Sequence, residues 1–140
     1  MINGSIIHPD ILLALARAGH TSKVLVADGH FPSTTFLGPK VPKVYLNLAP
    51  GLLTVTQVLE VLVEQVAIES AAAAVFEDGS LPEIWTDYRR LLGPSVQVEA
   101  VKGSQIRTAF HDDDVALAIM TGDTRPASCI VLSLGLRQTA

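Results

Sequence analysis

The sequence predicts a single α/β domain over residues 1–140, with a mainly parallel sheet flanked by helices. Short runs of β-branched and aliphatic residues alternate with longer runs of helical period along the whole chain, which is the pattern of strands joined by helices. The chain has 140 residues, enough for one substantial core and too few for two ordinary domains. Neither an internal repeat nor a low-complexity segment interrupts the alternation.

Taken in order, Pro9 at a first-turn position and Asp10 behind it mark the start of a helix, and Ile11, Leu12, Leu15 and Ala18 recur at helical spacing. Gly19 is expected to close that helix in a left-handed cap. Lys23–Ala27 reads as a buried strand, ended sharply by Asp28-Gly29. Residues 29–42 hold Gly29, Pro32, Gly38, Pro39 and Pro42, a density of breakers that describes a structured loop forming one wall of a site. Lys43–Leu48 reads as a second strand, with Ala49-Pro50-Gly51 as its turn.

Thr54-x-x-Gln57 matches a capping box, and Val55, Val58, Leu59, Leu62, Val63 and Val66 form the stripe of a core-facing helix. Ile68–Phe76 reads as a strand buried on both faces, stopped by Asp78-Gly79. A helix is expected over Pro82–Leu92, started by Pro82-Glu83 and ended by Gly93-Pro94. Val96–Val101 alternates like a strand, Ser104–His111 suits a short helix, and Val115–Thr121 and Ile130–Leu134 are apolar strands.

Hydrophobic residues make up 49% and charged ones 17%, apolar for so small a domain, so part of the surface is expected to be covered by further copies of the chain. The net charge of −4 and the lack of a Lys/Arg cluster argue against nucleic acid or an anionic membrane as the main partner. No apolar run is long enough to span a bilayer and no secretory pattern opens the chain, so a cytoplasmic protein is the expectation. The single Cys129 excludes an internal disulfide. Neither a dinucleotide fingerprint nor a P-loop occurs, so a nucleotide cofactor is not expected. No Ser sits in a nucleophile elbow, and Cys129 beside an apolar strand reads as a structural thiol.

The stretch Arg17–Pro32 gathers His20, Asp28 and His30 around one short strand. Ligands in open α/β sheets gather beyond the carboxyl ends of strands, which favours Asp28 and His30. His20 stands at the other end of a five-residue run spanning roughly 17 Å, so His20 and Asp28 of one chain should share a pocket only if a neighbouring subunit supplies one of them. A metal set of His20, Asp28 and His30 is conceivable, with Asp28 and His30 facing the same way in an extended segment. The bland alternative is a histidine at a helix C-terminus and an aspartate capping a turn.

Pro9-Asp10-Ile11-Leu12, Gly19-His20-Thr21, Asp28-Gly29-His30-Phe31-Pro32, Ile84-Trp85-Thr86-Asp87-Tyr88 and Thr121-Gly122-Asp123 together carry a resemblance. Over nearly its whole length the chain resembles the D-ribose pyranase / L-fucose mutarotase family. The resemblance implies a ribose-pyranase-like fold and a cofactor-independent isomerase that interconverts anomers or ring forms of a free monosaccharide. It implies His20 as the proton donor, Asp28 as a sugar contact and Arg107 as a basic wall of the pocket, in large homo-oligomeric rings, expected to be decamers, with sites between subunits. The family's Tyr-x-Asn before the final strand corresponds here to Ala127-Ser128-Cys129, so Ser128 and the backbone of that turn are left to make those contacts.

The chemistry suits these residues. Opening a hemiacetal needs a base for the anomeric hydroxyl and an acid for the ring oxygen, and histidine serves in either direction. His30 is a further candidate for sugar binding, and Phe31, Trp85 and Tyr88 offer aromatic faces for stacking, with Trp85 preferred. Two other readings stand beside this one: a sugar-binding accessory protein without turnover, and a metal-dependent lyase or isomerase using His20, Asp28 and His30.

Overall fold

The structure, a computed structural model, describes residues 1–110 and 113–139. In chain order these form α1 (Pro9–Arg17), β1 (Lys23–Ala27), α2 (Ser33–Phe36), β2 (Lys43–Tyr45), α3 (Val55–Gln65), β3 (Ile68–Val75), α4 (Trp85–Leu92), β4 (Gln97–Lys102), α5 (Ile106–Phe110), β5 (Val115–Met120) and β6 (Ile130–Leu134). The strands make one sheet in the order β2-β5-β1-β6-β3-β4. The pairs β2–β5, β5–β1 and β3–β4 are parallel, and β6 runs antiparallel to both β1 and β3. The sheet is therefore mainly parallel, as expected, with one reversed strand at its centre. Residues 121–129 are too few for the helical crossover that a parallel return requires, so the chain comes back in the opposite sense.

Alternation along β1 sets the two faces of the sheet. Val24 and Val26 join Ile130 and Leu132 of β6 in the larger core, which α1, α3 and α4 cover with Ile11, Leu59, Leu62 and Tyr88. Leu25 and Ala27 point the other way, into a smaller cluster closed by Phe31, Leu37 and Phe110. Burying β1 on both faces requires a continuous apolar run, which Val24–Ala27 supplies, all four at 0% exposure.

The capping box of α3 forms in full: Gln57 N–H donates to Thr54 Oγ1 at 3.1 Å and Thr54 N–H donates to the Gln57 side chain at 2.9 Å. Several boundaries differ from expectation. Helix α1 ends at an extended Ala18, and the left-handed residue that follows is Thr21, with φ 72°, while Gly19 is not left-handed. The run 29–42 contains the one-turn α2, and β2 stops at Tyr45 because β5, its sole neighbour in the sheet, ends opposite it at Met120. Of the helix expected over Ser104–His111, the described part is a 3-10 turn, Gly103–Gln105, running into α5; His111 lies outside the described residues.

Candidate functional site

The C-terminal ends of β1 and β5 hold one polar cluster. Asp28, the residue after β1, is 3% exposed. Its Oδ1 accepts the His30 N–H at 2.8 Å, and its Oδ2 accepts the Ser128 N–H at 2.9 Å and the Cys129 thiol at 3.3 Å. An aspartate that bonds the backbone two residues on makes a turn, so Asp28 and His30 do not face alike along an extended segment. The His30 ring lies at the surface with Nε2 3.0 Å from Thr124 O; a carbonyl only accepts, so Nε2 carries the hydrogen. Burial first, and the charge of Asp28 next, push the Cys129 thiol up, which keeps it a protonated donor and a poor nucleophile.

The strand-exit loops are stitched together here. Gly29 N–H donates to Asp123 O at 2.8 Å, and a Cβ on Gly29 would lie 3.2 Å from that oxygen, so glycine permits the close approach. Thr121 Oγ1 donates to Ala27 O at 2.8 Å. Asp123, 1% exposed, accepts from Val55 N–H at the start of α3 and takes Arg125 in a two-pronged grip, Nε at 3.0 Å and Nη2 at 2.7 Å. Burial alone would raise the Asp123 pKa, but the bonds from Arg125 and Val55 outweigh it and hold the carboxyl below its ordinary value. Arg125 reaches on to Thr56 Oγ1 at 3.0 Å, tying the loop to α3. Sequence reasoning missed this brace; the signal available was Asp-x-Arg two residues apart in an extended loop.

Arg107 on α5 is exposed, its guanidinium carbon 5.4 Å from the centre of the Phe36 ring, which meets Phe31 edge-to-face at 5.8 Å. The basic residue expected as a pocket wall therefore stands beside the loop that follows Asp28. Ser128 is 1% exposed and its hydroxyl is buried without a hydrogen-bond partner among the described residues; its N–H is what reaches Asp28. Trp85, expected as a stacking face, lies instead in the larger core at 5% exposure, its indole N–H donating to Ala74 O at 2.9 Å. Tyr88 is fully buried beside it, with a phenol that burial pushes above its ordinary pKa. The two aromatics fall on the apolar stripe of α4, so packing claims both.

His20 stands at the opposite end of β1. Its side chain is 44% exposed, and Nε2 lies 2.8 Å from Oε2 of Glu69. It borders a cleft of about 710 Å³ lined by Leu15, Glu64, Gln65, Leu134 and Arg137 among others. The structure thus brings Asp28, His30 and Ser128 together, sets Arg107 near their loop, and leaves His20 apart from them. Among the described residues no group of three His, Cys, Asp or Glu side chains is placed to hold a metal ion.

A model of the RbsD / FucU transport protein family matches residues 1–137. The chain belongs to this family. Curated relatives include the D-ribose pyranase 1 of Rubrobacter xylanophilus, 30% identical over 97% of this chain and 98% of that protein, and the D-ribose pyranase of Cutibacterium acnes, 26% identical over 97% and 98%. Among solved structures, Bacillus subtilis RbsD complexed with D-ribose superposes with a TM-score of 0.84 at 26% identity, covering 99% of this chain and 100% of that one. The Streptococcus pneumoniae fucose mutarotase in complex with L-fucose shares the fold, with a TM-score of 0.80 at 17% identity over 99% and 100%. No helix among the described residues is long and apolar enough to cross a membrane.

Proposed function

We propose that this chain is a mutarotase or pyranase that interconverts anomers or ring forms of a free ribose- or fucose-like sugar. His20 exchanges protons with the hemiacetal, and Asp28 and Arg107 hold hydroxyl groups. The observation that carries the reading is the family match over residues 1–137, in a chain that offers a half-exposed imidazole with one nitrogen tied to a carboxylate and the other without a hydrogen bond among the described residues. In the reaction the anomeric hydroxyl loses its proton, its C–O bond becomes a carbonyl, and the bond from that carbon to the ring oxygen breaks as the ring oxygen gains a proton. Reclosure on either face, or through another hydroxyl, gives the other form, and an imidazole, which can both give and take a proton, serves both directions.

Asp28 suits a binding role. A carboxylate has about four acceptor sites and three are taken by His30, Ser128 and Cys129, which leaves about one for a sugar hydroxyl. His20 and Asp28 flank a five-residue strand, roughly 17 Å end to end, so the complete site is formed between subunits, His20 from one copy and Asp28 from its neighbour. Exposed Ile7, Leu13, Leu48, Leu52 and Leu136 and an open cleft of about 810 Å³ over Ser70, Ala72, Glu99 and Ser133 supply surface for a ring of copies, a decamer on the resemblance. Such a protein works in the cytoplasm on free monosaccharide, needing no cofactor. The test is magnetisation transfer between ring forms across a panel of free sugars. Acceleration of one sugar supports the reading, and binding without acceleration replaces it with that of a sugar-binding accessory protein.

A further inference from the structure

We infer that His30 is the second proton-exchanging group of the site: its Nδ1 takes the anomeric proton while His20 of a neighbouring copy gives one to the ring oxygen. This rests on the reading of the chain as a sugar mutarotase or pyranase. Ring opening moves two protons at two different oxygens, and a site with one such group leaves the other transfer to water. His20 accounts for one of the two. The partner belongs at the other end of β1, where Asp28 holds the sugar.

Most groups at that end are already committed. Asp28 is buried and accepts from His30, Ser128 and Cys129, and a proton on it would remove the charge that those three donors are bound to. Cys129 keeps its hydrogen on that carboxylate. Asp123 is gripped by Nε and Nη2 of Arg125. Arg107 is a permanent cation and cannot accept a proton. Of these groups His30 alone is a base with an unshared lone pair.

The ring is held from two sides. Asp28 Oδ1 takes the His30 N–H at 2.8 Å, and Nε2 donates to Thr124 O at 3.0 Å. Those anchors belong to the exits of adjacent strands, Asp28 after β1 and Thr124 after β5. With the hydrogen on Nε2, Nδ1 of the neutral ring has the lone pair, and no hydrogen bond among the described residues occupies it. Nδ1 is bonded to Cγ, so it lies at the backbone end of the ring, the end that Asp28 fastens. His30 is also exposed, as a group that meets a sugar between two copies must be.

The step balances. The anomeric O–H gives its proton to His30 Nδ1, the freed electron pair makes the carbonyl, and the bond from that carbon to the ring oxygen breaks as the ring oxygen takes a proton from His20. Reclosure on the other face returns one proton from each side and restores both histidines. The imidazolium formed at His30 keeps its bond to Thr124 O, since both nitrogens then donate, and the Asp28 carboxylate beside it favours the charge.

The experiment compares wild type, His30→Ala, His30→Gln and His20→Ala by exchange NMR on the responsive sugar, with and without added imidazole. Both His30 variants should fold, since the ring is exposed. The expected result is a fall in kcat of about a hundredfold or more in each, with KM within about threefold. Imidazole should restore part of the rate to His30→Ala, beyond what imidazole alone does to the sugar, and should leave the wild type unchanged. A histidine that only holds the Thr124 loop gives no such rescue. With wild type active and His20→Ala inactive, kcat within about threefold of wild type in both His30 variants overturns the inference, as does a loss confined to KM or one that imidazole does not relieve. If the wild type accelerates no sugar, or His20→Ala retains activity, the underlying reading has failed and the inference with it.

Discussion

Asp123→Ala removes the carboxylate that braces the strand-exit loop, and its cost can be worked from the contacts. Four donors lose their acceptor: Val55 N–H, Arg125 N–H, and Nε and Nη2 of Arg125. The Val55 amide is fully buried at the start of α3, where a negative charge also complements the helix dipole, so its loss counts in full. A hydrogen bond to a charged group contributes about 1.5–3 kcal/mol, and the less buried Arg125 amide counts at the lower end. The guanidinium is 38% exposed and regains water, so the ion pair adds at most about 1 kcal/mol. The total is about 3–5.5 kcal/mol, or a drop in Tm of roughly 10–20 °C for a domain of this size. The carboxyl titrates below its ordinary value in the folded chain. Its contribution is therefore present in full above the unfolded value of about 3.9 and is lost as pH falls through the lower folded value. Urea unfolding at fixed protomer concentration should show the deficit at pH 7 and convergence of variant and wild type in strong acid. A loss under about 1 kcal/mol at pH 7, or a deficit that persists unchanged through the acid range, would refute the assignment of the brace.

Thr54→Ala deletes one half of the capping box on α3 and should cost about 1 kcal/mol, read as a lower urea midpoint with an unchanged slope. Gly122→Ala places a Cβ against the carbonyl oxygens of Ala49 and Leu52, so the loop 49–53 must shift; a loss of about 1–3 kcal/mol is expected, and neutral stability would show that the close approach is not obligatory. Oligomers reassembled from an equal mixture of His20→Ala and Asp28→Asn chains should recover up to about a quarter of wild-type exchange if each site takes His20 from one copy and Asp28 from another. No recovery, with mixing verified by mass spectrometry, would place both residues' roles within one chain.

The residues that encode local structure were readable. The Thr54/Gln57 box, the apolar run of β1 and the breakers at Asp78-Gly79 and Gly93-Pro94 act within a few positions of themselves, and the structure has α3, β1 and the ends of β3 and α4 where those signals lie. The Gly19 cap was misread because glycine permits a left-handed turn without demanding one; hydrogen bonding of Thr21 to Leu134, distant in sequence, places that conformation two residues later. Trp85 drew attention as an aromatic face, yet helical phase alone sets it inward with Tyr88 and Leu92. Asp28 stood out by its place after β1 and Ser128 through the family resemblance, but Glu69 did not, since its meeting with His20 depends on β6 entering between β1 and β3 and on a bulge that no local pattern announces. The Asp123–Arg125–Thr56 brace was hidden for the same reason: its members come from β5's exit and the head of α3.

The central claim is that His20 turns over a free sugar in this fold. Saturation-transfer NMR on the anomeric protons of ribose, fucose and a wider panel, with wild type and His20→Ala side by side, tests it most directly. The account predicts faster exchange of one sugar by the wild type and exchange at the buffer rate with His20→Ala, whose thermal stability should match the wild type because the imidazole is half exposed. Exchange at the buffer rate for every sugar with the wild type, or undiminished acceleration by a folded His20→Ala, would contradict it.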